Sequence, residues 1–188
     1  MRHLFETLKK HQKSLSAVGL ILVVCLIFYA INSPHIVGVS ATERVLPIYS
    51  VERDNKTVAL SFDAAWGNED TQELIDILQH YNVKATFFLV GEWVDRYPES
   101  VKALADAGMD VMNHSNDHAH FSKLTKQQIV DNVNACSDKI EQITGTRPTL
   151  FRCPYGEYDD HVVSAINGIG VQVIQWNVDS LDWKELSA

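Results

Sequence analysis

The stretch ATFFLVGEWVDRYPESVKALADAGMDVMN, residues 85–113, decides the fold. It begins and ends with short apolar runs, Ala85–Val90 and Met109–Asn113, which we interpret as strands buried on both faces. The helical pattern between them follows Pro98 and stops at Gly108, since proline favours the start of a helix and glycine its end. A strand, a helix and a second strand in this order predict parallel pairing, with the helix packed on the sheet.

The rest of the body repeats this alternation. Further strands are predicted at Thr57–Asp63, Thr149–Arg152 and Val171–Val178. Further helices are predicted from Asp70, from Thr125 to Gly145 and from about Asp159 to Asn167. The first of these helices has a capping-box arrangement of Asp70 and Glu73, and its predicted apolar stripe consists of Leu74, Ile77 and Leu78. The pattern predicts an α/β fold with a parallel sheet, closed or open, whose active residues lie at the carboxyl ends of the strands.

The N-terminal region differs from the body in composition. Residues 14–31 carry no charge and are long enough to cross a bilayer, and a basic tail at residues 1–13 precedes them. We predict one transmembrane helix of the signal-anchor type, with the tail in the cytoplasm and the body outside the cell membrane. The small residues at Val39-Ser40-Ala41 leave a cleaved signal peptide as the alternative. A linker is expected over residues 32–53 and the folded body over 54–188.

Charge and cysteine content limit the function further. The formal net charge is −8, although residues 1–40 are basic, so the body is more acidic still. A body of this charge is not expected to bind nucleic acid. Cys136 and Cys153 are the two cysteines outside the apolar N-terminal run, and the sequence leaves open whether they pair or remain two small buried residues.

Reactive side chains follow four of the predicted strands. His114 and His118 come after the third strand in the run Asn-His-Ser-Asn-Asp-His, and Asp63 ends the first. Arg152 ends the fourth strand, and Asp179 follows the fifth. Each has an ordinary structural explanation, as a turn residue, a cap or an ion-pair partner. Their common placement at strand ends predicts one active site, in which two imidazoles could meet a metal ion.

Four short motifs resemble those of a known family. The motifs are Ser61-Phe62-Asp63, His114-Ser115-Asn116-Asp117-His118, Arg152-Cys153-Pro154-Tyr155-Gly156 and Asp179-Ser180-Leu181-Asp182-Trp183. In order and spacing they are similar to the first four motifs of the polysaccharide deacetylases, the NodB-homology enzymes of carbohydrate esterase family 4. The variant Asp63-Ala64-Ala65-Trp66-Gly67 is most similar to the sporulation-type branch of spore-forming bacteria.

The resemblance implies a distorted (β/α) barrel and the hydrolysis of N-acetyl groups of a cell-wall polysaccharide, either peptidoglycan or a chitin-like glycan. It implies a divalent metal, usually zinc, held by His114 and His118. It also implies that Asp63 is the general base and that Arg152 holds this carboxylate. The remaining implied roles are an oxyanion-binding backbone N–H at Tyr155, a pairing of Asp179 with Arg152, and substrate contacts by Pro154, Tyr155 and Trp183.

The sequence departs from the family pattern in two places. Ala64 stands where the family has a second aspartate, the third metal ligand, so Asp70 and Asp117 become candidates for that position. The fifth motif, with its general-acid histidine, has no counterpart before Ala188, and the barrel is therefore expected to be incomplete, with the strand at Val171–Val178 as an open edge. The alternative function is a catalytically inactive relative that binds glycan or serves as a scaffold at the cell wall.

Overall fold

The computed structural model describes residues 16–29 and 44–184, in two compact units that divide after Glu43. The first unit contributes one helix, α1, at residues 16–29. The other residues of the predicted membrane segment, 14, 15, 30 and 31, lie outside the described part, as do the basic tail and residues 32–43 of the linker. None of the helices in the described part is long and apolar enough to span a bilayer.

The second unit alternates strands and helices as predicted. Its strands are β1 (Ser61–Ala64), β2 (Thr86–Leu89), β3 (Asp110–Asn113), β4 (Leu150–Phe151) and β5 (Gln172–Val173). Its helices are α2 (Thr71–His80), α3 (Gly91–Arg96), α4 (Pro98–Asp106), α5 (Lys126–Thr144) and α6 (Asp160–Asn167). Short 3-10 turns lie at Phe121–Lys123, Pro154–Gly156 and Asp182–Lys184. The sequence analysis missed α3 and extended every strand beyond its observed length.

The five strands form one parallel sheet in the order β1-β2-β3-β4-β5. A doubly wound sheet reverses its strand order at a switch point, whereas this sheet advances in one direction, as the wall of a (β/α) barrel does. The carboxyl ends of all five strands therefore lie along one edge. Apolar side chains of the sheet pack against the helices in two clusters, one around Trp93 and Leu104 and the other around Phe151 and Val163.

Helix α5 has the ends that the sequence predicts. Thr125 forms a full capping box with Gln128, and Gly145 closes the helix in the left-handed conformation with φ 73°. The capping box predicted at Asp70 is wrong, because the backbone of Asp70 is already helical and its side chain makes no capping hydrogen bond. The predicted stripe of α2 is also shifted, since Ile75 is buried and Ile77 is half exposed.

The prediction of an open edge at the fifth strand is wrong. The backbone N–H of Ile48 donates to the carbonyl of Val173 at 2.8 Å, and the N–H of Gln175 donates to the carbonyl of Ile48 at 2.8 Å. The hydroxyls of Tyr49 and Tyr158 are hydrogen-bonded at 2.6 Å beside this bridge. Residues 44–53, predicted as the end of a linker, belong to the compact unit, and their pairing covers part of the edge of β5.

Candidate functional site

The carboxyl ends of β1, β3 and β4 bring together three of the predicted site residues. Asp63 lies in β1, His114 directly follows β3, and Arg152 directly follows β4. The sheet continues one step beyond the assigned strands, because Arg152 N–H donates to the carbonyl of Asn113 at 3.0 Å and His114 N–H donates to that of Leu89 at 2.9 Å. Backbone pairing therefore fixes the relative positions of these side chains.

Arg152 holds the carboxylate of Asp63 in a defined orientation. Its Nη1 donates to Oδ1 of Asp63 at 2.8 Å, and its Nη2 donates to the hydroxyl of Ser61 at 2.8 Å. The guanidinium is almost completely buried and lies over the ring of Phe88, 4.1 Å from its centroid. The side chain of Asp63 is 33% exposed, so the carboxylate is partly accessible to solvent.

His114 is buried in a fixed orientation beside this carboxylate. Its Nδ1 is 2.8 Å from the carbonyl oxygen of Arg152, a partner that can only accept, so Nδ1 carries the proton and Nε2 has the lone pair. Nε2 lies 3.7 Å from Oδ2 of Asp63. Burial lowers the pKa of His114 below its ordinary value, although the charge of Asp63 acts in the opposite direction. The imidazole is therefore neutral at pH 7.

A strained turn carries the second histidine. His118 and Ser115 both have positive φ, 55° and 77°, which is uncommon for residues other than glycine. Side-chain hydrogen bonds hold this turn: Ser115 N–H donates to Oδ1 of Asn113 at 2.7 Å, and His118 N–H donates to the hydroxyl of Ser115 at 2.9 Å. The ring centroids of His114 and His118 are 5.0 Å apart. Burial and the nearby His114 lower the pKa of His118.

Asn113 supports this turn, although the sequence analysis gave it no role. It is fully buried, and its Nδ2 donates to the carbonyl of Val133 at 2.8 Å and to the hydroxyl of Ser137 at 2.9 Å, both in α5. Its Oδ1 is thereby directed at the turn. The sequence contains one indication of this role, an asparagine at the end of an apolar strand, where its side-chain amide must find hydrogen-bond partners.

Tyr155 also lies at the site, and it contacts His120, which in turn contacts Glu157. Its backbone has φ 60°, and its ring lies 4.5 Å from that of His118. The ring stacks on His120 at 4.4 Å, and Nδ1 of His120 is 2.6 Å from a carboxylate oxygen of Glu157. Sequence reasoning missed His120 and Glu157 because they lie in separate loops. The predicted substrate residue Pro154 is buried next to Tyr155.

Asp179 and Trp183 make other contacts in the part of the chain that the structure describes. Asp179 accepts a hydrogen bond from the N–H of Leu181 at 2.9 Å, and Ser61 takes the second guanidinium nitrogen of Arg152. The pairing of Asp179 with Arg152 stays a prediction. Trp183 is 65% exposed, and the contact that the structure shows for its ring is with the ammonium of Lys184 at 4.8 Å. The structure does not bring either residue to the Asp63–His114 pair.

The comparisons with known proteins agree with this arrangement. A sequence model of the family named polysaccharide deacetylase matches residues 50–174, about two thirds of the chain. The chain belongs to the polysaccharide deacetylase family. The match includes Asp63, His114, His118 and Arg152, the residues that the sheet and the following turn bring together.

Relatives in this family include both named enzymes and proteins without assigned activity. The chain is 36% identical over 139 residues to the uncharacterized protein YlxY of Bacillus subtilis, covering 74% of this chain and 44% of YlxY. It is 32% identical over 149 residues to a peptidoglycan-N-acetylglucosamine deacetylase of Bacillus cereus, covering 79% of this chain and 54% of that enzyme. The chain thus spans about half the length of these two relatives.

A solved structure of the polysaccharide deacetylase family shares the fold. The crystal structure of wild-type BA3943 from Bacillus anthracis, described as a family 4 pseudoenzyme, has a TM-score of 0.73 and 35% identity, covering 76% of this chain and 50% of that one. A BA3943 mutant with restored enzymatic activity matches with the same TM-score and 37% identity, and the alignment covers 52% of that chain. The similarity extends to both an inactive and an active form of this relative.

The donor set fits a metal ion in part. His114 and His118 supply two neutral imidazoles, and the proton on Nδ1 of His114 leaves Nε2 available as a ligand. No group of three or more His, Cys, Asp and Glu side chains within the described ranges is arranged to hold an ion. Asp117 accepts hydrogen bonds from the N–H of Ala119 and from Asn132, so it serves its turn, and Asp70 lies at the start of α2. Neither carboxylate is grouped with the two histidines in the part of the chain that the structure describes.

Proposed function

We propose that this polysaccharide deacetylase hydrolyses N-acetyl groups of a cell-wall glycan, of the peptidoglycan or chitin-like kind. The observation that carries the proposal is the carboxylate of Asp63, held by Arg152 with one oxygen free beside the neutral imidazole of His114. Amide hydrolysis needs a base that removes a proton from water and a group that stabilises the developing oxyanion. The site offers candidates for both roles.

Asp63 is the proposed general base. Oδ1 is engaged by the guanidinium of Arg152, so the proposed proton-accepting atom is Oδ2 of this partly exposed side chain. Arg152 is a positioning residue in this scheme, because its contact is with the base and its guanidinium is buried under the site. The second hydrogen bond, from Arg152 to Ser61, fixes the plane of the guanidinium and with it the direction of the carboxylate.

The backbone N–H of Tyr155 is the proposed oxyanion donor. The left-handed backbone at Tyr155 is a strained conformation for a residue with a Cβ, and such strain is often retained at functional sites. The neighbouring Gly156 also has a positive φ, 66°, and its carbonyl accepts a hydrogen bond from Gln175 at 2.9 Å. This contact anchors the turn to the segment after β5, which supports a fixed position for the N–H.

We propose that His114 and His118 hold a divalent cation, with zinc preferred because imidazole is a common zinc ligand. When bound, such an ion lowers the pKa of a coordinated water and polarises a carbonyl group. The chain itself supplies two neutral imidazoles and, at Asp63, the adjacent carboxylate.

A second candidate function has specific support. Ala64 replaces a carboxylate with a methyl group at the position of the third ligand in the family, and wild-type BA3943, 35% identical to this chain, is a pseudoenzyme. A catalytically inactive relative that binds cell-wall glycan would retain the surface of the site without the chemistry.

For either function we propose that the body lies outside the cell, with residues 14–31 as a single-pass membrane anchor, on the strength of their uncharged apolar sequence after a basic tail.

Acetate release from N-acetylglucosamine oligomers separates the two functions. For a deacetylase, Asp63→Asn should lower the rate by at least about a hundredfold, because a positioned general base contributes roughly 10²- to 10⁴-fold. Asp138→Asn is the matched control, since Asp138 is an exposed acid of α5. Acetate release that persists in Asp63→Asn would refute the assignment of the base. Oligomer binding without acetate release in the unmodified chain would establish the second function.

A further inference from the structure

Two large aromatic side chains at the site face solvent. Trp66 is 73% exposed and Tyr155 is 61% exposed, and the ring of each lies close to His118, at 5.8 Å and 4.5 Å respectively. With His120, which stacks on Tyr155 at 4.4 Å, these side chains form a row of four aromatic rings in the order Trp66, His118, Tyr155, His120. Exposed apolar area of this kind, bordered by polar groups, is typical of a ligand-binding surface.

The loop that carries Trp66 is held at two points. Nε1 of Trp93, a fully buried side chain of α3, donates to the carbonyl of Gly67 at 2.8 Å. Nδ2 of Asn68 donates to the hydroxyl of Ser100 in α4 at 3.0 Å. The residues that follow Trp66 are therefore fixed to the body, and ordering this loop adds little entropic cost to ligand binding.

Trp66 lies next to the proposed chemistry in both sequence and space. It follows Asp63 by three residues at the carboxyl end of β1, and its ring is 5.8 Å from that of the candidate metal ligand His118. A ligand lying on the indole would therefore extend toward His118, whose ring neighbours that of His114. Neither the predicted substrate contacts nor the mechanism above uses this residue.

We propose that Trp66 is a sugar-stacking residue that binds one pyranose ring of the glycan and so directs an acetamido group of that glycan to Asp63. A pyranose presents a face of C–H groups bordered by hydroxyls, which matches a flat apolar ring surrounded by polar side chains. This inference rests on the proposed function for its substrate class. It adds a residue that determines substrate position and affinity.

The test is calorimetric titration of the full chain with an N-acetylglucosamine tetramer. Covering roughly 60 Å² of indole corresponds to about a tenfold change in Kd, so Trp66→Ala should bind about tenfold more weakly. Trp66→Phe retains a flat ring and should stay within about threefold of the unmodified chain, whereas Trp66→Leu retains apolar bulk without the ring and should resemble the alanine variant. Tyr81→Ala is the matched control, because Tyr81 is 71% exposed at the end of α2 and contacts His80 there.

The outcomes separate this inference from the proposed function. Unchanged affinity in Trp66→Ala, or equal affinity in the Phe and Leu variants, would overturn the stacking role and leave the proposed function standing. Loss of binding in Tyr81→Ala as well would show that the effect is not specific to Trp66 and would also overturn it. An unmodified chain that neither binds the tetramer nor releases acetate from it would overturn both. Where acetate is released, Trp66→Ala should lower kcat/KM by about tenfold, because the lost stacking contact also holds the substrate in the transition state.

Discussion

Removing the carboxylate of Asp63 should destabilise the fold through Arg152. The guanidinium of Arg152 is 5% exposed, and the ion-pair partner that the structure shows for it is Asp63, at 2.8 Å. Its Nε is buried and lacks a hydrogen-bond partner within the described residues. Asp63→Ala therefore leaves a buried cation with the hydroxyl of Ser61 and the rings of Phe88 and Trp176 as its neighbours.

The magnitude follows from this geometry. Breaking a fully buried ion pair by removing one partner costs about 3–5 kcal/mol, and the partial exposure of Asp63 lets water replace some of the lost contact, so we expect about 2–3 kcal/mol for Asp63→Ala. Asp63→Asn keeps an acceptor oxygen and should cost about half as much. Asp138→Ala is the control, because the Arg147–Asp138 pair is exposed and should contribute under about 1 kcal/mol.

Urea unfolding, followed by tryptophan fluorescence and extrapolated linearly, measures these differences. The double variant Asp63→Ala/Arg152→Met supplies the decisive comparison, because it removes the stranded charge together with its partner. The free energy of unfolding should recover to within about 1 kcal/mol of the unmodified chain. A double variant as unstable as the sum of its single variants would refute the reasoning, as would an Asp63→Ala variant no less stable than Asp138→Ala.

Four further outcomes are expected. His114→Ala or His118→Ala should weaken binding of a divalent cation by at least about tenfold, measured as metal content after dialysis, and stoichiometric metal in both variants would place the site elsewhere. Burial raises the pKa of the Cys136 and Cys153 thiols to about 12, so iodoacetamide at pH 8 should spare both until urea unfolds the body; labelling of either before unfolding would contradict their burial. Burial lowers the pKa of His114 and His118 below 6.5, so the unfolded chain takes up protons at a higher pH than the folded chain does. The free energy of unfolding should therefore fall as the pH is lowered from 7.5 to 5.5, and it should fall by a smaller amount in His114→Gln. An equal fall in that variant would exclude His114 as a source of the pH dependence. Protease added to intact cells should digest the body and spare a tag at residue 1, and a protected body would reverse the proposed topology.

Local patterns in the sequence predicted the elements whose structure depends on neighbours in the chain. The spacing of apolar residues in α5, with Thr125 before it and Gly145 after it, predicted that helix and both of its ends. The placement of His114 and Arg152 directly after strands predicted that they would meet at one edge of a parallel sheet. The first inference required the period of the apolar residues, and the second required the direction in which the strands run.

Several contacts between distant parts of the chain were not predicted. The apolar run Val171–Val178 indicates burial but not pairing, and the strand is confined to Gln172–Val173. Beyond it, Gln175 turns back to the carbonyl of Gly156, a contact that no local signal contains. Likewise Ser61 resembles an ordinary strand residue, and only the fold places its hydroxyl 2.8 Å from Nη2 of Arg152.

The bridge between Ile48 and the edge of β5 has a consequence for the order of folding. Strands β1 to β5 pair with neighbours in chain order, so the sheet can grow one strand–helix unit at a time. The Tyr49–Tyr158 hydrogen bond beside the bridge instead joins residues 109 positions apart, and the entropy of closing so long a loop is recovered only after the sheet exists. The segment at residues 44–50 should therefore dock last and open first, so that in native-state hydrogen exchange the amide of Ile48 loses protection before those of β2 and β3.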